Sequence, residues 1–130
     1  MLRPLVLAAC VAAAFAGCGD GDDDQPKRTV TVKQGQAVRV SGKEYSFDPE
    51  GVVVAGGGSV WLRLRNDGSV AHNLRIFEGE RELGGTPTFQ SGQARSATVS
   101  LRPGRYRMVC TVGDHERLGM TGSLRVRARN

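Results

Sequence analysis

Pro103-Gly104-Arg105-Tyr106-Arg107-Met108-Val109-Cys110 reads as a tight turn feeding a strand. Side chains alternate along a strand, so Tyr106, Met108 and Cys110 share one face while Arg105 and Arg107 take the other. The closing stretch Ser123-Leu124-Arg125-Val126-Arg127-Ala128-Arg129 repeats the pattern, with Leu124, Val126 and Ala128 set against arginines. Leu62 and Leu64 oppose Arg63 and Arg65 in the same way. A sheet with one apolar and one charged face covers a core on one side and meets water on the other.

Working outward, further strand-like runs fall at 28–33, 36–41, 52–55, 59–65, 72–77 and 95–101. Gln34-Gly35, Gly56-Gly57-Gly58 and Asn66-Asp67-Gly68 supply turns between them, and 78–93 reads as a polar, glycine-containing connection. In the run from His72, the residues His72, Leu74 and Ile76 share the core face. No internal repeat and no amphipathic helix emerges. About eight short strands predict an all-β fold, a Greek-key β-sandwich. The 130 residues leave room for one such domain.

The amino terminus is of another kind. Met1-Leu2-Arg3-Pro4 is followed by an apolar stretch, Leu5–Ala16, too short to span a bilayer but suited to an export signal. It ends Phe15-Ala16-Gly17-Cys18, resembling the bacterial lipoprotein cleavage site, where the Cys is lipidated and becomes the new amino terminus. Cys10 follows a similar Leu7-Ala8-Ala9 pattern, but cleavage there would leave the apolar region too short. Residues 18–26 then carry Asp20, Asp22, Asp23 and Asp24 and no apolar residue beyond Cys18 and Pro26, which suits a solvated tether. The organisation expected is a signal peptide at 1–17, a lipidated flexible tether at 18–26 and a folded domain at 27–130. Localisation follows as the extracytoplasmic face of the cell envelope, anchored through lipid on Cys18.

The net charge of +5 conceals an asymmetry, because those four aspartates leave the rest of the chain more basic still. Its Arg and Lys residues are spread singly, without a basic run, interleaved aromatics or a recognition motif, so a nucleic-acid partner is not expected. Of the three cysteines, Cys10 leaves with the signal and Cys18 carries lipid. Cys110 is then the one thiol of the folded domain, in an oxidising compartment and with no partner for a disulfide. Metal ligation is a use for such a thiol.

His72 and His115 are the only two histidines of the chain. His115 and Met120 follow Cys110 within one loop, Cys110-Thr111-Val112-Gly113-Asp114-His115-Glu116-Arg117-Leu118-Gly119-Met120, while His72 sits at the end of another strand. Singly, a core histidine, a methionine or a buried cysteine is ordinary packing. Together, two imidazoles, a thiolate and a thioether form the soft, mixed set of a blue copper electron-transfer site, a trigonal His₂Cys centre with a weak axial Met. One type 1 copper ion is therefore the cofactor expected.

From Tyr45 to Arg127 the sequence resembles the cupredoxins, the small blue copper proteins. The resemblance rests on Tyr45-Ser46-Phe47-Asp48-Pro49, Gly58-Ser59-Val60, Asn66-x-Gly68, His72-Asn73-Leu74, Pro103–Cys110 and Gly119-Met120-x-Gly122. Four residues separate Cys110 from His115 and four separate His115 from Met120, a rusticyanin-like spacing. The resemblance implies His72 as the strand-end ligand, Cys110 as the short thiolate ligand, His115 as the solvent-edge ligand and Met120 as the distant axial one. It also implies that the Asn73 backbone N–H donates to the Cys110 sulfur, while its side chain ties to Thr111. Asp114, Glu116 and Arg117 depart from the apolar docking patch usual around the solvent-edge histidine. A carboxylate there, if unscreened, would favour Cu(II).

The function expected is single-electron transport by a monomer, between redox proteins such as cytochromes or oxidases. Copper storage, or delivery to an envelope cuproenzyme, is the alternative. An enzyme is not expected, since four protein ligands leave no open position for substrate.

Overall fold

A computed structural model describes residues 28–129; the expected signal peptide and tether, with Cys10 and Cys18, lie outside the described residues. The strands are β1 Thr29–Lys33, β2 Val38–Lys43, β3 Ser46–Asp48, β4 Gly51–Ala55, β5 Gly58–Asn66, β6 Arg75–Glu78, β7 Arg81–Gly85, β8 Ala94–Leu101, β9 Gly104–Val109 and β10 Thr121–Val126. They form a six-stranded sheet, β1-β4-β10-β9-β6-β7, and a four-stranded sheet, β3-β2-β5-β8. Both sheets are mixed: β1 with β4, β4 with β10, and β2 with β5 run parallel, and the remaining pairs are antiparallel. Among the described residues there is no helix, hence none long and apolar enough to cross a membrane.

Alternation builds the core. Val38 and Val40 of β2 with Val60, Leu62 and Leu64 of β5 face Val52 and Val54 of β4, Leu124 and Val126 of β10, and Tyr106 and Met108 of β9. The two inner faces interleave in one apolar layer, the arrangement of a β-sandwich. Each fully buried Leu, Ile or Val contributes about 1.5–3 kcal/mol relative to exposure.

Among the described residues, ten strands replace the eight expected. β3 and β7 are the additions, three and five residues long. β7 arises inside the stretch read as a polar connection and forms a sheet edge, held by its backbone pairing to β6. Two boundaries also move. β10 ends at Val126, where its pairing with Gly104 runs out, so Ala128 lies exposed rather than in the core. β6 starts at Arg75, and His72 is joined to the sandwich by an isolated bridge to Phe89. Leu74 and Ile76 are nevertheless fully buried, as alternation requires.

Candidate metal centre

The chain brings four sequence-singled residues to one end of the sandwich. Cys110 follows directly on β9, and its N–H donates to the Met120 carbonyl at 3.1 Å, just before β10 begins. The loop between folds on itself: His115 N–H donates to Val112 O (3.0 Å), Leu118 to Asp114 O (3.1 Å), Gly119 to Glu116 O (3.0 Å) and Met120 to His115 O (3.0 Å). His72 comes from the opposite side, fixed by reciprocal backbone bonds with Phe89 at 3.2 and 3.1 Å.

One donor atom each from His72, Cys110 and His115 lies within 4.8 Å of the others. The sulfur is 3.8 Å from His72 Nδ1 and 3.5 Å from His115 Nδ1, and the two rings are 5.1 Å apart between centroids. His72, Cys110 and Met120 are wholly buried, whereas His115 retains 9 % exposure. Gly42 faces Met120 across the core. A Cβ there would lie 3.1 Å from Met120 Cε and 3.3 Å from Leu64 Cδ1, closer than ordinary van der Waals contact, so glycine keeps room for the thioether side chain.

A hydrogen-bond lock joins the two ligand-bearing segments. Asn73 Nδ2 donates to Thr111 Oγ1 at 2.9 Å, and Thr111 N–H donates back to Asn73 Oδ1 at 2.9 Å. The same Nδ2 also donates to Thr88 Oγ1 at 3.0 Å, a partner that sequence alone did not suggest. No hydrogen bond from the Asn73 amide to the Cys110 sulfur is present among the described residues.

Glu44, in the turn after β2, is a further residue of the site that sequence reading passed over. Its Oε1 accepts from His72 Nε2 at 2.9 Å, from Ser69 N–H at 2.9 Å and from Val70 N–H at 3.0 Å. The Val70 amide above all, with help from Glu44's own amide, Ser69 and His72, holds this carboxyl at about 2 despite the opposing effect of burial. Its neighbour Tyr45 lies against the His115 ring, with centroids 4.8 Å apart. Nothing but a lone glutamate marked this position in the sequence, because its partner lies 28 residues away.

The charged surround expected near His115 is largely self-neutralised. Asp114 pairs with Arg117 at 2.8 Å and Glu116 with Arg107 at 2.9 Å, which blunts their pull on a metal. Meanwhile Tyr45, Val70 and Leu118 expose apolar side chains from the same three loops that carry Glu44, His72 and His115.

The residues fit copper on the chemistry of their donors. Two imidazoles held on Nδ1, one buried cysteine without a disulfide partner and one buried thioether are soft and borderline donors. Structural zinc sites instead combine more thiolates with imidazoles and have no use for a thioether. A mononuclear, buried centre of this kind on a two-sheet sandwich defines a type 1 copper protein.

Comparison with known proteins agrees. The family model described as a cupredoxin-like domain matches residues 5–122. Reduced auracyanin from Roseiflexus castenholzii superposes with a TM-score of 0.61 at 18 % identity, covering 69 % of this chain and 95 % of that one. Auracyanin A from Chloroflexus aurantiacus, a "blue" copper protein, gives 0.59 at 21 %, covering 77 % and 100 %. Rusticyanin from Thiobacillus ferrooxidans gives 0.59 at 21 %, covering 76 % and 82 %. Comparison with curated protein sequences gives no significant match. The chain belongs to the cupredoxin-like family, and copper is its metal.

Proposed function

We propose that this protein is a membrane-tethered, extracytoplasmic carrier of single electrons, holding one copper ion through His72, Cys110, His115 and Met120. The observation that carries this reading is the convergence of three buried donor atoms, one each from His72, Cys110 and His115, within 4.8 Å of one another. Copper there would supply a Cu(II)/Cu(I) couple that takes up and gives back one electron.

The chain's own part is to prevent rearrangement. His72 is clamped by Phe89 and Glu44, and the loop carrying His115 and Met120 is closed by its own backbone bonds. The Asn73–Thr111 lock fixes one segment to the other. Met108 and Leu74, fully buried in the same apolar core as Cys110, help exclude water. His115, the sole candidate ligand with exposed surface, offers an electron a way out without offering the metal one. Four protein donors leave no open position, so the role is transport rather than catalysis. The partners are redox proteins such as cytochromes or oxidases, docking on the loops of the site that expose Tyr45, Val70 and Leu118. Lipid on Cys18, followed by the acidic tether, would keep the domain within reach of such partners at the membrane.

A carrier and a copper donor separate by what leaves the protein. Reduced, copper-loaded protein should reduce an oxidised cytochrome rapidly and lose copper slowly to a moderate-affinity Cu(I) chelator. Fast copper loss with sluggish reduction of several cytochromes would assign the protein to copper delivery instead.

A further inference from the structure

We infer that Glu44 is a positioning residue of the metal site: its carboxylate fixes the ring nitrogen that His72 offers to copper and biases the centre toward Cu(II). This deepens, and rests on, the assignment of His72 as a ligand.

The geometry carries the inference. His72 is fully buried, and a buried ring N–H requires an acceptor. Glu44 Oε1, 2.9 Å from Nε2, is that acceptor. An imidazole that donates from Nε2 keeps its Nδ1 lone pair free, and Nδ1 is the atom turned toward the Cys110 sulfur at 3.8 Å. The carboxylate is itself held, because the Ser69 and Val70 amides converge on the same oxygen and the Ser69 hydroxyl reaches Oε2 at 3.4 Å. It therefore cannot swing away from the ring without breaking bonds to two amides. A fixed carboxylate behind a ligand imidazole raises the basicity of that ligand and adds negative charge near the metal. Both effects favour the higher oxidation state.

A purely structural role is the competing account. Glu44 also staples the 66–70 loop to the turn after β2 through Ser69 and Val70, and that staple needs no histidine. The two accounts differ in what Glu44→Gln does. Glutamine can place its carbonyl oxygen where Oε1 stands and keep the staple, while removing the charge.

The test follows the Cu(II)/Cu(I) ratio of wild type, Glu44→Gln and Glu44→Ala against one reference redox couple. Asp67→Asn serves as control, since it removes a carboxylate from the same loop that touches Ser41 and Arg65 but neither histidine. Glu44→Gln should shift the ratio toward Cu(I) by about tenfold, and Glu44→Ala should lower Cu(II) affinity by about tenfold or more. Asp67→Asn should change the ratio less than about twofold. Nitrogen-15 spectra of the metal-free wild type provide a second readout, which needs no variant to fold. They should show His72 as a single tautomer with its proton on Nε2. A proton on Nδ1, or a Glu44→Gln ratio within about twofold of wild type, overturns the inference. Failure of the underlying assignment is distinct: copper-loaded wild type would then lack a thiolate charge-transfer band altogether.

Discussion

Asn73→Ala removes the lock between the two ligand-bearing segments, and its cost can be worked out from the bonds lost. Asn73 takes part in three: to Thr111 Oγ1, from Thr111 N–H and to Thr88 Oγ1. Each contributes about 1 kcal/mol net, so complete loss would cost about 3 kcal/mol. Thr111 is exposed, and water can replace the partner it loses, which brings the expected cost to about 2 kcal/mol. For a domain of this size that lowers Tm by about 10 °C, measurable by thermal unfolding of the metal-free protein. The core lies elsewhere, so the steepness of the transition should hold. With copper bound, the same variant should release Cu(I) to a chelator faster than wild type, because the loop bearing His115 and Met120 is no longer tied to the segment bearing His72. A cycle with Thr111→Val should return a coupling of about 1 kcal/mol. A Tm within about 2 °C of wild type, together with unchanged Cu(I) release, would refute the idea that this pair holds the site closed.

Two further predictions concern acid stability and location. Glu44 and Asp67 both have folded-state values below their ordinary ones, Glu44 lowered from 4.5 to about 2, and Asp67 lowered from 3.8 by the Ser41 hydroxyl first and Arg65 next. Stability from a depressed carboxyl is present above its unfolded value and is lost as pH falls toward its folded one. The urea midpoint of the metal-free protein should therefore be level above about pH 5 and fall steadily from about pH 4.5 toward 2, less steeply in Asp67→Asn. A midpoint that stays level to pH 2 would contradict this. Cys18→Ser should move the protein from membrane to soluble fractions or leave its signal uncleaved; normal processing with unchanged membrane retention would exclude the lipid anchor.

How much of this was legible in the sequence depended on whether the signal was local. Alternation in 105–110 and 59–65 is a property of each strand alone, so the core faces of β9 and β5 could be read directly. The loop from Cys110 to Met120 was equally local, and the side-chain bond from Asn73 to Thr111 followed from the family resemblance. β3 and β7 escaped because three residues cannot display alternation, and Arg81-Glu82-Leu83-Gly84-Gly85 is an edge held by backbone bonds rather than by an apolar face. Parallel pairing of β1, β4 and β10 was invisible because alternation assigns faces but not neighbours. Glu44 was missed for the same reason: its role exists only once the turn after β2 lies beside His72. The charges at Asp114 and Glu116 were visible, but their neutralisation by Arg117 and Arg107 was a matter of side-chain placement.

Copper held as a type 1 centre by Cys110, His72 and His115 has a signature that one visible absorption spectrum reads. Protein loaded with an equivalent of Cu(II) should be intensely blue or green from charge transfer between the Cys110 thiolate and the metal. The band should survive in Met120→Leu, where only the weak axial donor is lost, and vanish in Cys110→Ser. Stoichiometric uptake of Cu(II) by a wild type that remains colourless would rule out a Cys110 thiolate bound to the metal.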